Sequence, residues 1–501
     1  MALWSWQGML ALFLGGLYGA IFGAIPGLTA TLAVALFVPI AFFLDPIIAL
    51  PTIIAISSVT IFAGDIGSII ARIPGTPASA AYVEEMHDVG RRSGPLYALG
   101  LSALGSAAGG LIGTLLLILA ATGIANVATR FSSFEYFWVA VLGLTAGVLA
   151  AGGRAVKATV SLLLGLLFST AGIDPTLGYP RFHFGSATLL GGLDYVVAMI
   201  GLFGFSEVLM HVYRGGATAA PEVARPAGGS LARFYIQPLA LMLRRRWLVL
   251  RSSLVGLGVG MLPGAGADVA AWVAASIQKL RGRGDRASQD VDTMLAGASS
   301  NNAAVASAWI PALSLGLPGD TVTAIVLSIF LMKGITPGPL LFQNEFGLVA
   351  SLYATFLLSS VVLLPLFGYL SARLADRVVQ TPLNLLLPAI TGLCVVGAYA
   401  VHNNPIDIWI MAGMGVLAFV LRAGGFPLAQ VVLGMVLGPI IEQNFMVSAI
   451  IAHWDLTAFI ERPVALVLMM ATIVVIALAA RANLRRERAN VRAQDRSDVH
   501  T

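Results

Sequence analysis

A single cysteine, Cys394, stands in 501 residues, so no disulfide can close within the chain and cysteine usage says nothing of the redox compartment. Charge is scarce too. Asp, Glu, Lys and Arg make up 11% of the residues, against about a quarter in globular chains, while 58% are hydrophobic. That deficit excludes an ordinary water-soluble domain. The histidines (His87, His183, His211, His402, His453 and His500) show no metal-ligand spacing. Neither a phosphate-cradling GxxxxGK(S/T) loop nor a GxSxG nucleophile elbow occurs. The chain therefore has no evident means of hydrolysing ATP, and a pump built from it draws on an ion gradient or on another polypeptide. No nucleic-acid partner is expected from the net charge of +5, because the basic residues flank apolar runs. MALWSWQ has no basic n-region and no small-residue cleavage site, and reads as a retained first span.

What is present is long apolar sequence. Windows recur at 96–121, 136–152, 158–173, 193–213, 345–372, 383–400, 406–421, 426–445 and 462–481, most near the ~20 residues a helix needs to cross hydrocarbon. They are solid runs rather than the alternation of a membrane β-barrel. Glycine, at 55 residues, suits helices that approach closely in lipid. The expected fold class is an all-α polytopic membrane protein of roughly 10–12 membrane segments.

Lys and Arg total 29, and their placement orients the chain. With the Arg-rich tail 482–501 and the segment 214–251 inside, the loops 82–95, 153–157, 279–293 and 373–382 and the turn at Arg422 also face inward. Arg130, Arg181, Lys333 and Arg462 then fall outside, and Arg72 falls within the membrane. This positive-inside pattern puts the N-terminus outside and the C-terminus in the cytoplasm.

That count holds only if two segments, 8–42 and 252–278, enter and leave on one side as re-entrant hairpins. They are broken at Pro26-Gly27 and Pro263-Gly264, and they resemble each other. GAIFGAIPGLTA (19–30) overlays GLGVGMLPGAGA (256–267), and IPGTPASA (73–80) overlays LPGDTVTA (317–324). Two ordered matches argue for an internal duplication. The loop near Leu44-Asp45-Pro46 has no basic residue whereas its counterpart reads KLRGRGDR, so the repeats are expected to be inverted, with a binding site near the midplane where the breaks meet. The expected division is a first membrane repeat over 1–213, a cytoplasmic basic linker over 214–251, a second repeat plus a final span over 252–481, and a cytoplasmic tail over 482–501.

A proline inside a helix removes a backbone donor, and in lipid the freed groups need partners in protein, water or ligand. Each half-helix that starts after a Pro-Gly pair aims N–H groups and partial positive charge at what lies there. Four converging breaks would suit a carboxylate; lone kinks in packed spans are the plainer alternative. Hydroxyls and amides beside the breaks fit the same role: Thr29, Thr31, Ser68, Thr76, Ser79, Asn301, Asn302, Thr321 and Thr323. Arg72 is costly in lipid and needs a partner. Asp65, two turns earlier on the same face, is one candidate and a substrate carboxylate is the other. Asp268 and Asp320 read first as helix caps, with binding of a coupling proton or sodium ion as the alternative.

Four ordered motifs, GAIPGLTATLAVALFVPI, IPGTPASAA, MLPGAGA and SSNNAAVASAWIPALSLGLPG, resemble the TctA family, the large membrane subunit of tripartite tricarboxylate transporters. The resemblance spans roughly 8–480. It implies a bacterial inner-membrane permease that works with a small TctB-like membrane subunit and a periplasmic TctC-like binding protein. It also implies import of organic carboxylates driven by an ion gradient, with no cofactor beyond a coupling Na+ or H+. Its Pro-Gly loops map onto Pro26-Gly27, Pro74-Gly75, Pro263-Gly264 and Pro318-Gly319, and its Asn-Asn pair onto Asn301-Asn302. The sequence departs from the commonest pattern at AGDIGSIIAR before the PGTP element, and at Asp268 and Asp320, so a carboxylate other than citrate is in view. A stand-alone secondary carboxylate transporter, a membrane-embedded enzyme and a passive channel are the competing readings.

Overall fold

The apolar windows form helices. The structure is a computed structural model, which describes residues 5–25, 28–151, 154–174, 176–213, 230–264, 266–281, 284–379 and 383–477. Pro26, Gly27, residues 214–229 of the basic linker and the tail 482–501 lie outside the described residues. Among those described, seven helices are long and apolar enough to cross a membrane: Trp6–Ala24, Pro46–Ala71, Pro95–Ala128, Tyr195–Tyr213, Phe346–Arg373, Pro405–Ala423 and Leu428–Ile451. Shorter apolar helices, including Ala30–Phe43 and Thr321–Met332, accompany them. A two-residue antiparallel ladder, Gly172–Ile173 with Pro180–Arg181, is the described strand structure. The expected all-α polytopic membrane fold is what forms.

Contacts gather the chain into two units, one of Met1–Thr129 with Val196–Phe419, the other of Arg130–Tyr195 with Val420–Thr501. In the second unit the Ala155–Ser169 and Leu428–Ile451 helices touch through Gly165, where a Cβ would lie 2.0 Å from the Val431 carbonyl oxygen. Gln430 Nε2 donates to the Gly147 carbonyl at 2.8 Å, and Arg181 Nη2 pairs with Glu442 Oε2 at 2.9 Å.

All four Pro-Gly motifs belong to the first unit, and the matched segments are packed by matched contacts. The Trp6–Ala24 helix lies on Pro46–Ala71 so closely that a Cβ at Gly19 or Gly23 would meet the Ile56 or Thr60 carbonyl oxygen at 2.6 or 2.2 Å. The Arg246–Gly260 helix lies on Arg286–Ser307 in the same way, Gly256 against the Ser300 carbonyl oxygen at 2.2 Å and Gly260 against that of Ala304 at 2.6 Å. Without a hydrophobic drive between helices in lipid, such close backbone approach supplies dispersion contact instead.

The helices that lead into the two Pro-Gly loops after them, Pro46–Ala71 and the short Trp309–Leu315 that follows Arg286–Ser307, end alike. Pro46–Ala71 stops at Arg72, in the left-handed region at φ 58°, with Arg72 N–H on the Ser68 carbonyl and Ile73 N–H on that of Gly67, both at 3.2 Å. Trp309–Leu315 stops at Gly316, φ 70°, with Gly316 N–H on Ala312 and Leu317 N–H on Pro311, again at 3.2 Å. Pro74 and Pro318 follow two residues later, where a proline cannot continue a helix. Proline alone does not make a break: Pro39 and Pro51 sit inside continuous helices.

The glycine contacts yield a direct test. Gly256→Val should lower the thermal stability of the purified protein by the equivalent of about 1–3 kcal/mol, the usual cost of overpacking. Gly258→Val, on the same helix with open space at its Cβ position, should leave the melting temperature close to that of the parent.

Candidate functional site

The broken segments meet end to end. The Ala30–Phe43 helix starts at Thr29, whose Oγ1 accepts from Leu32 N–H at 3.2 Å. Two residues on, Thr31 Oγ1 lies 2.6 Å from Thr321 Oγ1, at the start of the Thr321–Met332 helix. In the other half, Asp268 is at the position that corresponds to Thr31, five residues after its proline. Its Oδ1 accepts from Ala78 N–H at 3.1 Å, in the loop after Pro74-Gly75. Each hairpin tip therefore touches the break loop of the other half.

Within each half, glycines bring the hairpin tip close onto its own break loop. Gly264 N–H donates to the Gly319 carbonyl at 2.9 Å, and Gly75 N–H to that of Gly64 at 3.1 Å. A Cβ on Gly75 would lie 2.9 Å from the Gly23 carbonyl oxygen and one on Gly266 3.0 Å from Asp320 Cβ, so side chains are excluded where the loops cross. Trp272 Nε1 donates to the Pro77 carbonyl at 3.0 Å. Lys279 Nζ donates to the Ala81 carbonyl at 3.1 Å and pairs with Glu85 at 2.8 Å. Asp268, Trp272, Pro74 and Pro77 remain exposed around this crossing.

Several expected polar groups are already engaged. Thr76 and Ser79 satisfy one another: Thr76 N–H donates to Ser79 Oγ at 3.1 Å and Ser79 N–H to Thr76 Oγ1 at 3.2 Å, and both are buried. Ser68 is buried as well, 3.5 Å from the Ile73 carbonyl. Asp320 is the cap its position suggested: Oδ1 accepts from Thr323 N–H at 2.7 Å, and Asp320 N–H donates to Thr323 Oγ1 at 2.8 Å. Asp268 is not a cap of its own helix. It sits inside the first turn of Gly266–Arg281, and its carboxylate reaches the other half because the Pro74-Gly75 loop presents a free N–H there. Pro263, Gly264, Pro318 and Gly319 line the crossing, whereas the placement of Pro26 and Gly27 lies outside the described residues.

Arg72 requires a correction. It does not pair with Asp65, nor is it enclosed; its side chain is 58% exposed and bridges to Glu84 on the Val83–Ser93 helix. Two helical turns would stack the two residues only if the helix continued through Arg72, but the left-handed cap turns the chain there. Asp65 is 1% exposed. It accepts from the Tyr82 hydroxyl at 3.2 Å and, more closely, from Ser102 Oγ on the Pro95–Ala128 helix. Asn301 Oδ1 and Asn302 Nδ2 are buried without a hydrogen-bond partner. No basic side chain bridges Asp65 among the described residues.

Tyr82, Ser102, Trp272, Lys279 and Glu84 were not singled out from the sequence. Tyr82 closes the IPGTPASAAY stretch, so its proximity to a break was a usable signal. Ser102 is one serine of a small-residue helix, and nothing local marks it.

A model of the tripartite tricarboxylate transporter TctA family matches residues 9–433. This chain belongs to that family. It is thus a multi-pass membrane component of the tripartite type, in a transporter family. Over 485 residues it is 31% identical to an uncharacterized 52.8 kDa protein in the TAR-I ttuC' 3' region of Agrobacterium vitis, covering 96% of this chain and 94% of that one. A second protein of the same organism, in the TAR-II ttuC' 3' region, is 32% identical over 243 residues, 47% of this chain and 98% of its own length. No solved structure matches the chain.

For this TctA-family chain the cap at Asp320 is open to measurement. Asp320→Ala should cost about 0.5–2 kcal/mol, the range for a lost N-cap, and Asp320→Asn distinctly less. Thermal unfolding in detergent would report both.

Proposed function

We propose that this chain is the permease subunit of an ion-gradient-driven, binding-protein-dependent importer of organic carboxylates. It would act in a bacterial inner membrane with a small TctB-like subunit and a periplasmic TctC-like binding protein. The observation that carries this reading is the mutual contact of interrupted helices from the two halves, Thr31 with Thr321 and Asp268 with Ala78. Interrupted helices that meet in pairs offer a site both halves can open in turn, as inverted-repeat transporters do. On this reading 1–213 and 252–481 are inverted repeats, with the N-terminus outside and the C-terminus in the cytoplasm.

The cargo carboxylate is assigned to the crossing formed by Thr29, Pro263-Gly264, Pro318-Gly319 and Thr321. The hydroxyls and half-helix ends there bring N–H dipoles without a fixed cation. Pro74, Gly75, Thr76 and Ser79 shape the adjoining loop. Arg72 is exposed and held by Glu84, so it is available to an incoming carboxylate that displaces Glu84.

Asp65 is assigned to the coupling ion, H+ or Na+. A buried carboxyl partnered by hydroxyls alone is costly as an anion, and a cation removes that cost. The unpartnered, buried Asn301 Oδ1 offers a further oxygen, and Asn302 adjoins it. Asp268 and Asp320 are secondary candidates, since each already accepts a backbone N–H.

Uptake of labelled di- and tricarboxylates into proteoliposomes tests the whole reading, with the TctB-like and TctC-like partners supplied. Arg72→Ala should raise KM at least about tenfold, as loss of a charge-assisted contact does, and Glu84→Ala should lower it. Asp65→Asn should abolish accumulation against a gradient while carboxylate exchange continues. Uptake at full rate without the binding protein would identify a stand-alone carrier instead, and accumulation by Asp65→Asn equal to wild type would remove Asp65 from coupling.

A further inference from the structure

A recess of about 260 Å³ is lined by Arg244, Arg245, Trp247, Arg251, Gln278 and Asp292. Three guanidinium groups face one carboxylate there, a surplus of positive charge in a chain that uses few charges. Two of the arginines are held in place. Arg245 Nη2 donates to Ser288 Oγ at 2.8 Å and its Nε lies 3.1 Å from Asp292; Arg251 Nη2 donates to Gln278 Oε1 at 2.6 Å. A guanidinium carries five N–H donors, so these contacts leave donors over in each, already fixed in position.

The surroundings are apolar and uncovered. Leu243 is 58% exposed and Trp247 71%, directly beside Arg244 and Arg245. Leu239 on the preceding turn and Leu254 farther along are exposed as well. The short Gln237–Arg244 helix leads into Arg246–Gly260, one of the close-packed helices of the first unit. Exposed leucines next to an arginine cluster and a tryptophan are the composition of a helix end at the boundary between hydrocarbon and headgroups. A planar guanidinium fork matches phosphate oxygens in pairs, and basic pockets between membrane helices are suited to acidic headgroups.

We infer that this recess binds the phosphodiester headgroup of an anionic phospholipid, with the acyl chains along Leu243, Trp247 and Leu254. A free phosphate would satisfy the arginines but would leave the apolar rim in water, so the lipid accounts for both halves of the surface.

The test uses the full chain, purified and delipidated in detergent and titrated with dioleoylphosphatidylglycerol, dioleoylphosphatidylcholine or inorganic phosphate, with melting temperature and native mass spectrometry as readouts. Phosphatidylglycerol should bind saturably and raise the melting temperature, and phosphatidylcholine should not. Arg244→Gln alters an exposed side chain and leaves the internal contacts of the recess intact. It should weaken phosphatidylglycerol binding about fivefold, and Arg244→Gln/Arg251→Gln more, at the increment expected for each basic residue near an anionic lipid. Trp247→Ala should weaken the lipid but not inorganic phosphate. Equal responses to the two lipids, wild-type affinity in Arg244→Gln, or phosphate binding as tightly as the lipid would each overturn the assignment.

Discussion

A helix interrupted inside a membrane leaves N–H and C=O groups that water cannot satisfy, and this structure answers that constraint with glycine. At Gly75 and Gly264 the backbone itself becomes the partner, N–H to carbonyl, because no side chain holds the loops apart. The same absence of Cβ atoms at Gly19, Gly23, Gly256 and Gly260 lets each hairpin helix lie directly on its supporting helix. Had any of these positions carried a side chain, the breaks would stand too far apart to pair, and their polar groups would face hydrocarbon at several kcal/mol each.

Once the breaks are satisfied by one another, the remaining polar residues divide by what they already hold. Thr76, Ser79 and Asp320 are engaged within their own loops, so they give the loops shape. Thr31, Thr321 and Asp268 reach from one half to the other, where any movement of the halves must change their contacts. Asp65 is different again: it is remote from solvent, near the crossing through Tyr82, and supported only by hydroxyls. The broken segments thus separate a surface where the two halves touch from a buried acid behind it. Tyr82, adjoining the Ser79–Ala81 turn and bonded to Asp65, is the side chain that links the two.

The matched segments differ in an informative way. The position that ends the helix before the second Pro-Gly loop is Arg72 in the first half and Gly316 in the second, in the same left-handed conformation. Glycine adopts it without a side-chain clash, whereas arginine does so under steric penalty and places a guanidinium at the edge of the crossing, against Glu84. Likewise Thr31 corresponds to Asp268, one hydroxyl and one carboxylate in equivalent cross-contacts. The two halves therefore share their backbone design and differ in charge at the points where they meet.

Much of this was legible from residue order. Apolar run length set the all-α membrane class, because crossing hydrocarbon demands about 20 residues of helix whatever surrounds them. The Pro-Gly pairs and their spacing located the breaks, since proline and glycine act on the local backbone. The glycine abundance pointed to close helix approach, but which helices lie on which came only from the fold. Partner choice was another matter. Asp65 lies 17 residues from Tyr82 and 37 from Ser102, and Thr31 lies 290 from Thr321, separations at which helical periodicity carries no information. The supposed Asp65–Arg72 pair came from extending a helix through a residue that in fact ends it. Local sequence determined where this chain spans and where it breaks; only the packed fold decided which broken ends, and which buried acid, would face each other, because those contacts depend on how whole helices are laid side by side.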